Sequence, residues 1–382
     1  MTVKMHDPVE RSFRPPVGSY FLFGPRGTGK TTLLRVLHPD AVFVDLLDPA
    51  TTRELFARPE RLTEISRAAP AGVPIVVDEV QRVPELLTVV HALIESDGRR
   101  FILTGSSARK LRRAGQDLLA GRAVLHTLHP FTAAELGERF DLDRALRHGT
   151  IPLVWSSSDP DDVLRSYAAL YVREEVQQEG LVRNVGSFSR FLEAVSFSHA
   201  SLLNVSAVSR ECAVERKTVE AYLEILHDLL LAFSLRVFTK RASRALVGHR
   251  KFYLVDPGVF RSLRPSGPLD RPEEIGGAAL EGLVISMLRA DIAYRNADEE
   301  LFFWRTRSGV EVDCVVYGRG RFEAIEVKNS DRVRPEDERG LRAFLSDYPE
   351  ARATIVYRGE RPLERSGVRW VPVETFLRSL GS

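Results

Sequence analysis

The residues Gly24, Pro25, Arg26, Gly27, Thr28, Gly29, Lys30, Thr31 and Thr32 read GPRGTGKTT and match the spacing GxxxxGK[ST] in full. Each residue type has a task in that pattern. The glycines let backbone N–H groups close around phosphate oxygens, and the helix that follows points its positive end at them. Lys30 reaches the terminal phosphates, and the Thr31 hydroxyl is a ligand for Mg²⁺. The chemistry implied is binding of a nucleoside triphosphate such as ATP with its Mg²⁺.

A second signal lies downstream, where four apolar residues run into Asp78-Glu79 in IVVDEV. Asp78 is placed to hold Mg²⁺, and Glu79, one residue further, to activate an attacking water. The adjacent pair favours hydrolysis over storage of the nucleotide. In LTGSS, Thr104, Ser106 or Ser107 stands where a polar side chain could sense the γ-phosphate, and Ser107 also suits a helix N-cap. Arg122, in LAGRAV, has two readings. It is a finger completing the site of a neighbouring subunit, which requires an oligomer, or a structural arginine at a helix end.

A third constellation is near the C-terminus. Strand alternation in FEAIEVK puts Phe322, Ala324, Glu326 and Lys328 on one face, and in VEVDCVV Asp313 shares a face with Glu311 and Val315. Glu281 is the only charged residue between Ile275 and Leu288 in a very apolar segment, and a lone buried carboxylate is costly unless paired or metal-bound. Converging carboxylates bind Mg²⁺ for phosphodiester hydrolysis, with Lys328 beside the water. The same residues also suit an internal salt-bridge cluster with no cutting.

These residues need elements to hold them. Apolar runs at 19–23, 41–47, 73–79, 100–105 and 123–128, with helical stretches between, predict a parallel sheet covered on both faces. Residues 159–235 read as helical, with Asn204 as an N-cap and Val219, Tyr222, Leu223, Leu226 and Leu230 on one helix face. The opposite face carries Glu220, Glu224 and Asp228, which phosphates would repel, so this helix is read as core or protein-facing. Two strand-like runs follow, at 233–239 and 250–256. RPSGPLDRPEE (264–274) reads as a linker, and a helix, three strands, and further helix and strand segments complete the chain.

Composition sets outer bounds. The length of 382 residues suggests two or three domains, and 44% apolar content is ordinary for a folded chain. No apolar run is long enough to span a membrane, and the first sixteen residues lack the apolar core of a signal peptide. Cys212 and Cys314 are the only cysteines, which points to a reducing, cytoplasmic setting and argues against a zinc site. Net charge is only +2, so charge must be read locally. Between residues 236 and 251, Arg236, Lys240, Arg241, Arg244, Arg250 and Lys251 occur with no acid among them. That run suits contact with a nucleic-acid backbone, by charge and shape with little base readout, or else is a solvated basic loop.

Taken together, the phosphate loop, Asp78-Glu79 with the following VQRVPELL, LTGSS, LAGR and HPFTAAEL resemble the AAA+ ATPases. The closer likeness, over nearly the whole chain, is to proteins joining an AAA domain of the AAA_14 type to a DUF4143 region. The resemblance implies a winged-helix module in the middle, with the basic run as its wing. It also implies a C-terminal domain similar to the PD-(D/E)xK nuclease fold, onto which Glu281, Asp313, Glu326 and Lys328 map. A second-sensor arginine is not assignable, with Arg165 and Arg173 its weak candidates.

The expected fold is therefore α/β. A parallel-sheet ATPase domain (1–150) precedes a helical lid and winged-helix domain (151–265) and an α/β restriction-endonuclease-like domain (266–382). The expected activity is Mg-dependent ATP hydrolysis by a ring or partial ring that moves along or remodels DNA, branched or single-stranded. An ATP-gated nuclease and a toxin–antitoxin-like switch with a protein partner are the alternatives.

Overall fold

The computed structural model describes residues 9–107, 109, 111, 119, 121–167, 185–239, 250–332 and 334–381. Two compact units emerge. One comprises Phe13–Pro130 and Ile225–Leu231; the other comprises the residues up to Ser12, Phe131–Glu224 and Ala232–Ser382.

In the first unit, β1 (Ser19–Phe23), β2 (Val42–Asp45), β3 (Ile75–Asp78), β4 (Phe101–Gly105) and β5 (Ala123–Thr127) form one sheet in the order β2-β3-β4-β1-β5. Every pairing is parallel. The inner strands β1, β3 and β4 are buried along their whole length, as their unbroken apolar sequences require. Phe21, Val44, Val77, Leu87 and Leu103 belong to the core on one face. The loop after β1 runs straight into the helix Lys30–Leu37, whose N-cap Gly29 adopts a left-handed backbone, φ 83°.

The second unit holds a nine-stranded sheet. Its strands are β6 (Ser201–Leu202), β7 (Ala232–Val237), β8 (Lys251–Leu254), β9 (Glu299–Arg305), β10 (Glu311–Gly318), β11 (Arg321–Lys328), β12 (Arg352–Tyr357), β13 (Leu363–Arg365) and β14 (Val368–Pro372). Their order is β13-β14-β12-β11-β10-β9-β7-β8-β6. The two strand-like runs around the basic segment thus join the C-terminal strands: β7 pairs in parallel with β9, Arg236 opposite Phe302 and Val237 opposite Phe303. The helix Pro272–Arg295 begins within the Pro-rich stretch, with Pro272 at its first turn, where a missing N–H costs nothing. In the helical segment, Asn204 caps Val205–Cys212 by accepting from the Ala207 N–H, and Tyr222 of Arg216–Asp228 packs on Phe188 and Phe191.

Candidate functional sites

The phosphate loop is shaped by close backbone approaches. A Cβ on Gly24 would lie 2.5 Å from the carbonyl oxygen of Leu128, so no side chain fits there. Thr28 is buried and its hydroxyl donates to the Pro25 carbonyl at 2.7 Å, closing the turn. Arg26 of the loop and Thr32 of the helix after it are exposed. Lys30 is 6% exposed, and its ammonium donates to the carbonyls of Gly24 (2.7 Å) and Pro25 (3.3 Å).

β3 delivers Asp78 to the same point. Thr31 Oγ1 donates to Asp78 Oδ2 at 2.5 Å, and the Thr104 hydroxyl donates to the other carboxylate oxygen. A hydroxyl and a carboxylate in contact are the hard oxygen donors that Mg²⁺ takes, so these residues fit that ion. Glu79 follows in a left-handed conformation, φ 60° and ψ 45°, which is strained for a residue with a side chain. Its N–H donates to Thr104 Oγ1 at 3.3 Å. Gln81 was not among the residues singled out by sequence. Its Nε2 donates to the Glu79 carboxylate and, at 3.2 Å, to Ser106 Oγ, while its Oε1 is buried without a hydrogen-bond partner. Gly105 leaves room for it, since a Cβ there would lie 2.2 Å from Oε1. The sequence cue was a polar residue two positions past the acidic pair. Ser107 accepts from the Arg109 N–H at 2.9 Å. Arg122 stands exposed beside β5, the edge strand, and pairs with Glu95 of the same chain.

The C-terminal residues also come together, but around an unexpected partner. Lys251 is 2% exposed at the head of β8, and its ammonium lies 2.8 Å from Glu281, 2.8 Å from Glu311 and 3.0 Å from Asp313. The expected surface contact to nucleic acid is corrected on this point. Lys251 is held by backbone pairing to β7 and β6, and its side chain turns inward to three carboxylates. Tyr253, two residues on, donates to Glu281 Oε1 at 2.6 Å. Asp313 Oδ2 accepts the Val327 N–H at 2.9 Å, and Lys328 donates to Glu326 Oε1 at 2.7 Å. A register shift between Val312 and Val315 places both valines in one apolar cluster, so the expected alternation from Asp313 to Val315 breaks.

Electrostatics follow from this enclosure. Burial, then Asp313, push Glu281 up to about 7 and Glu326 up to about 8. Asp313 is itself driven up by burial, but Lys251 and the Val327 N–H more than offset this and hold it below the ordinary carboxylate range. Burial would lower the Lys251 ammonium, yet Asp313, Glu281, Tyr253 and Glu311 hold it well above the ordinary lysine value.

Of the remaining basic residues, Arg236 is exposed, pairs with Glu300 and lies over the Phe302 ring, and Arg250 is exposed. Lys240, Arg241 and Arg244 lie outside the described residues, as does Arg173; Arg165 pairs with Asp162.

Three family models match the chain: the AAA domain AAA_14 over residues 18–137, the domain of unknown function DUF8612 over 139–270, and the domain of unknown function DUF4143 over 276–376. No curated protein matches it. Among solved structures, a replication initiator DnaA bound to AMPPCP and single-stranded DNA is similar at 15% identity and a TM-score of 0.28, over 55% of this chain and 82% of that one. Protein VC1899 from Vibrio cholerae is similar at 12% identity and a TM-score of 0.22, over 90% of this chain and 96% of that one. No helix among the described residues is long and apolar enough to cross a membrane. The chain thus joins an AAA domain of the AAA_14 type to a DUF4143 domain.

Proposed function

We propose that this chain hydrolyses ATP with Mg²⁺ and uses the turnover to bind and remodel, or move along, DNA. The observation that carries the catalytic half is the contact of Thr31, Asp78 and Thr104 at the mouth of the phosphate loop, with Glu79 one residue beyond. Thr31 and Asp78 would hold the ion, which when bound neutralises charge on the phosphate oxygens. Lys30 exchanges its two carbonyl acceptors for phosphate oxygens. Glu79 accepts the proton of the attacking water, and Gln81 fixes where its carboxylate points. Thr104 and Ser106, each bonded to this network, register the state of the γ-phosphate.

The DNA half is supported by the acid-free basic run from Arg236 to Arg250. A ring or partial ring is supported by the exposed position of Arg122, from which it would reach a neighbouring subunit's nucleotide. The deciding experiment measures ATP turnover and binding at low salt across linear, single-stranded and branched DNAs. Stimulation by one class is expected. If no DNA binds and none alters turnover, the DNA half fails and a switch ATPase with a protein partner takes its place.

A further inference from the structure

The likeness to a metal-dependent nuclease fold implies a divalent cation among Glu281, Asp313 and Glu326. The side chains present do not fit one. The position that such an ion would take is filled by the Lys251 ammonium, in contact with Glu281 Oε1, Glu311 Oε1 and Asp313 Oδ1. Mg²⁺ needs oxygen ligands at about 2.0–2.1 Å in octahedral array, and an ammonium among the same oxygens excludes it. Further cations attend the same carboxylates: Arg305 lies 3.0 Å from Glu311, and Lys328 lies 2.7 Å from Glu326. Lys251 cannot easily withdraw. Its backbone is paired on both sides, to Leu202 and to Leu235, and its side chain is 3% exposed. Among the described residues, no group of three or more His, Cys, Asp or Glu side chains is arranged to hold a metal ion.

We propose that Lys251 is the resident cation of this acidic cluster, a covalently tethered replacement for a divalent metal. The DUF4143 domain then performs no metal-dependent phosphodiester cleavage there, and removing the ammonium opens a latent divalent-cation site. The cluster instead ties β8 to the helix Pro272–Arg295 and to β10. Nothing in this depends on the ATP site or on DNA binding.

The test counts bound Mn²⁺ by electron paramagnetic resonance on the full nucleotide-free chain. Asp78→Asn is included throughout to remove the ion of the ATP site. With Lys251 intact, no Mn²⁺ that is sensitive to Asp313→Asn is expected. In Lys251→Met, one further Mn²⁺ is expected, lost on adding Asp313→Asn. A Mn²⁺ bound to the Lys251-intact protein and released by Asp313→Asn overturns the proposal. So does a folded Lys251→Met that gains no Mn²⁺. Should Lys251→Met fold only when Mn²⁺ is supplied, the metal has replaced the ammonium and the proposal stands. If it folds under neither condition, Lys251→Arg must keep the cluster closed to Mn²⁺, and a Mn²⁺ bound there overturns it.

Discussion

The ATP site and the Lys251 cluster each combine a buried lysine with carboxylates, yet they hold them in opposite ways. Lys30 turns to backbone carbonyls, and Asp78 turns to two hydroxyls. Carbonyls and hydroxyls are contacts that a phosphate and its ion can displace. Lys251 and its carboxylates neutralise one another. A site whose polar contacts can be exchanged for those of a ligand is built to take one. A site that compensates its charges internally is built to stay as it is. The same two residue types therefore serve binding in one unit and cohesion in the other.

The contrast breaks first at Glu79. Glu79→Gln should lower the ATP hydrolysis rate about 10²–10⁴-fold while nucleotide affinity is retained, because a general base acts only in the transition state. Parallel measurement of kcat and of nucleotide Kd checks this. An equal loss in both would mean that Glu79 holds the nucleotide instead.

The two lysines give the next largest difference, this time in stability. Lys251→Met takes the cation from Glu281 and Asp313, while Glu311 keeps Arg305, and should cost about 3–5 kcal/mol. Adding Glu281→Gln and Asp313→Asn should restore most of that. Lys30→Met removes hydrogen bonds to two carbonyls and should cost about 1–2 kcal/mol while abolishing nucleotide binding. Trp155, Trp304 and Trp370 all belong to the second unit, so urea unfolding followed by tryptophan fluorescence reads the Lys251 cost, and amide hydrogen exchange of β1 and β4 reads the Lys30 cost in the first unit. Equal costs for the two lysines would erase the distinction.

Gln81 tests whether the ATP site is preorganised. Gln81→Ala frees the Glu79 carboxylate from its tie to Ser106 and should lower kcat about tenfold with little change in KM. Loss of KM alone would assign Gln81 to binding.

The two sites also differ in how readily sequence discloses them. The phosphate loop, Asp78, Thr104 and Ser106 are legible because each lies at or just past the end of an apolar strand, and parallel strands bring such ends to one edge of a sheet. Gln81 is not legible, since its reach depends on the left-handed turn at Glu79. In the second unit, alternation points to Asp313, Glu326 and Lys328, and isolation in an apolar segment points to Glu281. Lys251 hides within a cationic run whose other members suggest a surface. Its inward direction is set by pairing with β6 and β7, which local pattern does not encode. One cue was available: Lys251 opens the run KFYL, whose other three residues are apolar and which is buried throughout. The bulge in β10 is likewise invisible to strict alternation.

The smallest effect is a pH dependence carried above pH 7 by the self-compensated cluster. Glu281 and Glu326 hold their protons up to about 7 and about 8, above their ordinary value of 4.5. The folded state therefore binds those protons more tightly than the unfolded state. Their contribution is complete below about pH 4.5 and is lost as pH rises through 7 and 8. Asp313, held low, acts the other way only in acid, and Lys251, held high, only in strong alkali. His199, whose burial lowers it to about 3, favours folding as pH rises through its ordinary 6.5, so the informative window is pH 7–9. There the tryptophan-detected stability should fall with rising pH, by at most about 1.4 kcal/mol per pH unit for each group. Glu326→Gln, which cannot ionise, should flatten that slope. An unchanged slope in the variant would mean that Glu326 is already ionised at pH 7 and that Lys328 alone balances it.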